Sequence, residues 1–247
     1  MLTLDKRTCV FAGATGAIGR GAVRSLAENG MNVVMVTHNP QAAQKLAEEL
    51  SECPGKVVAV SNENGDASAL QSAYDLFGSV DVVINTTGAM EKVQPVSAIR
   101  REQLNEKLSH QVTDPFMMIQ AALPYLEKSQ AGRIILLTTA GAQDGFEGEN
   151  IVDSIARGGV ITMVYALARM LAEKKITVNA IARSGMINDH EPQKETDYDV
   201  NRILEQIPLQ RTGTAEEFGA MVAYLASEEA GFVTGQILGL SGGIHIG

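Results

Sequence analysis

Residues 10–21, VFAGATGAIGRG, constrain this chain more than any other stretch. An apolar run passes through Gly13, Gly16 and Gly19 into a segment of helical periodicity that reaches Asn29 and stops at Gly30. Residues without a Cβ permit a tight strand-to-helix turn, let backbone N–H groups approach a diphosphate, and let the helix pack close on the strand. The helix start then presents unpaired N–H groups and the positive end of its dipole to an anion. Gly13, Thr15, Gly16, Ala17, Ile18 and Gly19 are therefore the expected lining of a phosphate cradle.

The rest of the chain repeats this unit. Residues 32–37 (NVVMVT) are a β-branched run, after which Asn39 is a good N-cap and Pro40 suits the first position of a helix to about residue 50. Strands are expected at 56–60 and 80–85 with a helix over 67–77 between them. Helices at 97–108 and 114–128 lead into a strand at 133–139 (RIILLTT). An acidic, glycine-rich loop, AGAQDGFEGEN, precedes a long helix over 152–174 and a strand at 176–182. Thr214 and Glu217 form a capping box for a helix to residue 226, and 236–240 reads as the last strand. Such βαβ alternation predicts an α/β fold of Rossmann type, a doubly wound parallel seven-stranded sheet with helices on both faces. The ligand crevice of such a sheet lies at the strand carboxyl ends. A single domain over 1–247 is expected, with a lid-like insert at about 186–210 where a polar segment breaks the alternation.

Composition narrows the partners. With 247 residues and 45% hydrophobic content the chain can bury a large core, and a net charge of −9 argues against nucleic acid or an anionic membrane surface. Two cysteines, Cys9 and Cys53, suit a reducing compartment and give no metal-ligand spacing, so no metal is expected. No apolar run reaches spanning length and charges precede the first one, so a cytoplasmic location is the default.

In order and spacing, AGATGAIGRG, NTTG at 85–88, QAALPYL at 120–126, GRIILLTT at 132–139, ITVNAIA at 176–182 and TGQILGLSGG at 234–243 resemble the short-chain dehydrogenase/reductase family over essentially the whole length. The family's usual TGxxxGxG is altered, with Ala12 in place of the threonine, Ala17 in place of the middle glycine, and Gly16 one position early. Its NNAG has become Asn85, Thr86, Thr87 and Gly88, where the two threonines can still hydrogen-bond backbone. The resemblance implies a nicotinamide dinucleotide cofactor. At the end of the second strand Thr37, His38 and Asn39 carry no carboxylate to hold ribose hydroxyls or repel a 2′-phosphate, which leans the choice to NADP(H) over NAD(H).

The resemblance also implies a catalytic set of tyrosine, lysine, serine and asparagine. Counting from the flanking motifs places Asp153 at the tyrosine position, Arg157 at the lysine, Thr139 at the serine and Gln111 at the asparagine. All four differ. Thr139 keeps a hydroxyl, Gln111 keeps an amide, and Arg157 can reach ribose hydroxyls. Asp153 and Arg157 stand i, i+4 on one helix, so a salt bridge between them is expected. An ionised carboxylate has no proton to donate to a ketone, so ordinary carbonyl reduction should be poor.

Three readings follow. The first is an NAD(P)(H)-dependent oxidoreductase of altered chemistry, in which Asp153 with the loop acids Asp144, Glu147 and Glu149 suits a cationic amine or imine substrate. In the second, the chain is a non-catalytic NADP(H)-binding subunit or sensor. The third is a cofactor-retaining lyase or epimerase using Asp153 or His190 as proton carrier. Small and apolar residues on the helices over 114–128 and 152–174, among them Ala121, Ala122, Ile155, Gly158, Gly159 and Met163, suit packing into a homodimer or homotetramer. The methionines, including Met117, Met118, Met163 and Met170, read as packing filler.

Overall fold

The computed structural model describes residues 2–61, 66–88, 93–145, 150–184 and 204–246, the side chain of Asp144 excepted. Glu147, Glu149, His190 and most of the lid-like insert lie outside the described residues.

Seven parallel strands run in the order β3-β2-β1-β4-β5-β6-β7. They are β1 (Thr8–Ala12), β2 (Asn32–Thr37), β3 (Val57–Ser61), β4 (Val82–Asn85), β5 (Arg133–Thr139), β6 (Thr177–Arg183) and β7 (Ile237–Leu240). The order doubles back between β1 and β4, whose registers pair Ala12 with Asn85, so the two carboxyl ends open a crevice at Gly13 and Thr86. The expected doubly wound sheet is thus present.

Two apolar layers sandwich it. On one face Phe11 and Met35 meet Leu26 of α1 (Ala17–Glu28), Leu46 of α2 (Pro40–Glu49) and Phe218 of the last helix, Ala215–Ala226. On the other, Val10 and Ile134 meet Leu70 of α3 (Asp66–Phe77), Met118 of α5 (Asp114–Leu126) and Val164 of α7 (Ile151–Leu171). Alternate residues of β1 face opposite layers, as the period of two requires. Between α3 and α5 lies α4 (Arg101–Leu108), and a one-turn α6 (Gly141–Asp144) opens the loop read as irregular. The last helix is numbered α8, and its Thr214 and Glu217 make the expected capping box.

Two features were not expected. Gly21 of α1 and Gly219 of α8 let these helices touch, since a Cβ on Gly21 would lie 2.2 Å from Ala215 O and one on Gly219 would lie 2.4 Å from Gly21 O. A π-helical turn, Ser109–Thr113, joins α4 to α5. α7 with the short turn after it is long and apolar enough to cross a membrane, yet Val160, Val164, Leu167 and Leu171 pack into the core beneath the sheet. The methionine expectation holds for Met118, which is buried, and fails for Met117 and Met170, which are exposed. Ala122 and Gly159, expected at a subunit contact, are used inside the chain: Ala122 is fully buried and Gly159 makes room for Val112.

Candidate active site

The glycine turn separates packing from recognition. Gly13 has φ +89°, and a Cβ there would lie 2.6 Å from Thr86 Oγ1, while a Cβ on Gly19 would lie 2.2 Å from Gly13 O. Both are glycine because strand, turn and helix converge on them. Gly16 differs, being exposed and meeting only Gly13 O at an ordinary 3.4 Å. It is the N-cap of α1 and supplies no side-chain cap, so the first-turn N–H groups of Ala17, Ile18 and Gly19 are left for water or an anion. Thr15 stands beside them on the lining of a cleft. A dinucleotide's diphosphate fits this arrangement.

The facing turn after β4 is held from within. Asn85 is buried, and its Oδ1 accepts from Thr87 N (3.1 Å) and Thr87 Oγ1 (2.7 Å). Thr86 Oγ1 donates to Gly13 O at 3.3 Å and Thr86 N to Ala12 O at 2.9 Å, tying the two strand ends together. The threonines therefore bond backbone as expected, whereas Asn85 shapes the turn and does not present its oxygen to a ligand. After β2, Thr37 Oγ1 accepts from Asn39 N (2.8 Å) and Asn39 Oδ1 caps α2 through Ala42 N (3.1 Å). Capping occupies the Asn39 oxygen, and His38 is exposed beside it.

Under these turns lies a buried polar cluster. Asp153 in the first turn of α7 is fully buried, and its Oδ1 receives Gln111 Nε2 at 2.9 Å and Lys107 Nζ at 3.1 Å. Lys107 comes from α4 and Gln111 from the π turn, whose wider loop sets this side chain against α7. Arg157, one turn along α7, sends Nη1 to Leu137 O (2.7 Å) and Nη2 to Thr87 O (3.1 Å) and Gly88 O (3.0 Å). Thr138 Oγ1 donates to the Arg157 carbonyl at 3.0 Å, and Thr139 ends β5 as a buried residue. Gly88, at φ +102°, is the floor between them, because a Cβ there would lie 2.8 Å from Gln111 Nε2 and 3.0 Å from Arg157 Nη2.

The expected Asp153–Arg157 salt bridge is replaced by two separate attachments. Arg157 Nη1 and Nη2 donate to three backbone carbonyls, those of Leu137, Thr87 and Gly88. The carboxylate takes a cation from the opposite helix instead. Sequence reasoning missed Lys107, although the signal existed: it stands four residues before Gln111, so helical spacing puts both on one face. His110, next to Gln111, turns outward to Asp114 Oδ2 at 3.0 Å.

Residues 13–245 match the family model described as enoyl-(acyl carrier protein) reductase, which belongs with the short-chain enzymes. The chain belongs to the short-chain dehydrogenase/reductase family. It is 30% identical to the 3-oxoacyl-[acyl-carrier-protein] reductase FabG of Staphylococcus epidermidis, over 97% of this chain and 99% of that protein. It is 29% identical to glucose 1-dehydrogenase 2 of Bacillus subtilis, over 98% and 96%. Among solved structures, a short-chain dehydrogenase/reductase from Serratia marcescens superposes with TM-score 0.89 at 24% identity, covering 98% of this chain and 99% of that one. Membership of the short-chain dehydrogenase/reductase family makes this an NAD(P)-dependent oxidoreductase by type, and the open, uncapped helix start at Gly16 agrees with that cofactor.

Proposed function

We propose that the protein is an NADP(H)-preferring oxidoreductase in which a buried Lys107–Asp153 pair takes over proton handling from the family's tyrosine and lysine. The observation that carries this reading is the seating of Asp153, fully buried, with Lys107 Nζ at 3.1 Å and Gln111 Nε2 at 2.9 Å on one oxygen. A carboxylate held by a cation and an amide donor cannot protonate a substrate oxygen. Arg157 stays charged, and the Gln111 amide does not ionise. Lys107 is the side chain of the cluster that carries a donor N–H group on a flexible stem, with Asp153 holding the ammonium in place. The cofactor supplies or accepts the hydride when bound; Lys107 delivers or removes the proton at the substrate oxygen, and Gln111 and Arg157 fix the walls around Gly88. Because Lys107 already neutralises Asp153, the carboxylate offers little to a cationic amine or imine, and the reading extends to neutral carbonyls and alcohols. Phe116, Met117, Ile155 and Tyr165 leave apolar surface exposed on α5 and α7, which supports a homo-oligomeric contact there.

A second reading, a cofactor-binding subunit without turnover, is favoured by Arg157, whose Nη1 and Nη2 donate to the Leu137, Thr87 and Gly88 carbonyls. One assay separates the two. NADPH oxidation is followed against a panel of ketones, aldehydes and imines in the wild type, in Lys107→Met/Asp153→Leu, and in Asp153→Tyr/Arg157→Lys. The proton-handling reading expects wild-type turnover that disappears in the first variant. Turnover in the Tyr/Lys variant alone supports the binding subunit, and wild-type turnover that survives the first variant contradicts the role given to Lys107.

A further inference from the structure

Strand β6, TVNAIAR, is buried through its first six residues and ends in a charge. Its seventh residue, Arg183, is half-buried at the carboxyl end of the sheet. β6 is an inner strand between β5 and β7, and packing such a strand on both faces gives no reason for a cation there.

The ladder fixes where this side chain starts. Arg183 is in register with Thr139 of β5 and with Leu240 of β7. Its carbonyl accepts from Ala140 N at 3.3 Å, and Ser184 N donates to Leu240 O at 3.1 Å, so pairing continues past the strand end on both sides. Register partners in a parallel ladder present their side chains to the same face, one strand spacing apart. Arg183 and Thr139 therefore leave neighbouring strand ends side by side, at the edge of the sheet where ligands of such folds sit.

The charge balance of the described side chains here is positive. Lys107 and Asp153 cancel within the buried cluster, which leaves the charges of Arg157 and Arg183. A guanidinium presents a planar fork that matches a carboxylate with two parallel N–H donors. One arginine on a row it shares with Thr139 and Leu240 suits a monoanion on an uncharged chain.

We propose that Arg183 is a specificity residue that receives the carboxylate of an oxo-acid or hydroxy-acid substrate, whose carbonyl or alcohol reacts in the crevice. The inference rests on the oxidoreductase reading above and names its substrate class.

Charged and neutral forms of the same ketone test it. NADPH oxidation is followed with 4-oxopentanoate and 5-oxohexanoate, and with their methyl esters, in the wild type, Arg183→Gln and Arg183→Lys. The expected result is a rise of about tenfold in KM for the acids in Arg183→Gln, no change for the esters, and partial recovery in Arg183→Lys. Acids and esters affected alike, or no change with either, overturn the proposal. Calorimetric titration of the same four compounds keeps this outcome apart from failure of the oxidoreductase reading. If the wild type turns over none of them, acids that bind more tightly than their esters and lose that advantage in Arg183→Gln still support the carboxylate site. Acids and esters binding alike, or neither binding, overturn it. Should Arg183→Gln not fold, Arg183→Lys decides alone: weakening for the acids with the esters unchanged supports the proposal, and equal effects overturn it.

Discussion

The two ends of the crevice obey different rules. At the β1–α1 end the residues that matter are glycines, and the structure uses backbone: Gly13 and Gly19 let the chain close on itself, and Gly16 leaves N–H groups uncovered. At the α4–α7 end the residues that matter are long polar side chains, and the structure uses reach: Lys107 crosses from one helix to another, and Arg157 spans from α7 to the ends of β4 and β5. A backbone site tolerates little substitution, because its geometry is the chain itself. A side-chain site can be rebuilt around one exchanged residue if a neighbour supplies the missing charge. The glycine turn is thus held by backbone contacts, and the polar cluster by side chains drawn from α4, the π turn and α7.

Breaking the side-chain end should have the largest effect. Lys107→Met leaves Asp153 buried without its cation, and a loss of about 3–5 kcal/mol is expected in chemical denaturation. Adding Asp153→Leu to that variant should restore most of it, because removing both charges of a buried pair is far less costly than removing one. A double variant no more stable than the single one would mean that Asp153 depends on other groups. The backbone end is tested by Gly19→Val, whose Cβ would sit 2.2 Å from Gly13 O. The expected cost is about 1–3 kcal/mol, with loss of NADPH binding that the Lys107 and Asp153 variants do not share. Arg157→Lys comes third. Lysine lacks the fixed fork that spans three carbonyls, so a fall of about 1–3 kcal/mol is expected in thermal melts.

The smallest effect lies away from the crevice. Arg211, hydrogen-bonded to the Glu217 side chain, and the Thr214 backbone N–H hold the Glu217 carboxyl down at about 2. A depressed value in the folded state means that its contribution is full above the ordinary carboxylate range and is lost as pH falls towards about 2. Thr214→Ala removes the reciprocal cap, so a loss of about 1 kcal/mol at neutral pH is expected. That loss should be the same at neutral pH and below pH 3, as read from urea midpoints, because it removes only the hydroxyl that accepts from Glu217 N, while Arg211 and the Thr214 backbone N–H still hold the carboxyl.

How much of this was visible in the sequence follows the same division. Strand order, the α2 cap at Asn39, the Thr214 capping box and the glycine turn are local patterns, and local patterns survive in a string of letters. The contact of α1 with α8 through Gly21 and Gly219 joins residues remote in the chain, and neither glycine announces its partner. The Asp153–Arg157 pairing was argued from helical spacing alone, which ignores what else lies within reach of a buried arginine. Three sheet-edge carbonyls did, and they outweighed the neighbour on its own helix. Gln111 was found from its order in the chain, and the π turn that aims it at Asp153 left no mark in the periodicity.

The independence of the two ends is the central claim, and an NADPH fluorescence titration tests it most directly. Wild type and Lys107→Met/Asp153→Leu should both saturate with one nucleotide per chain at affinities within about threefold of each other. No saturable binding by the folded wild type, or binding lost in the folded double variant, would contradict the account.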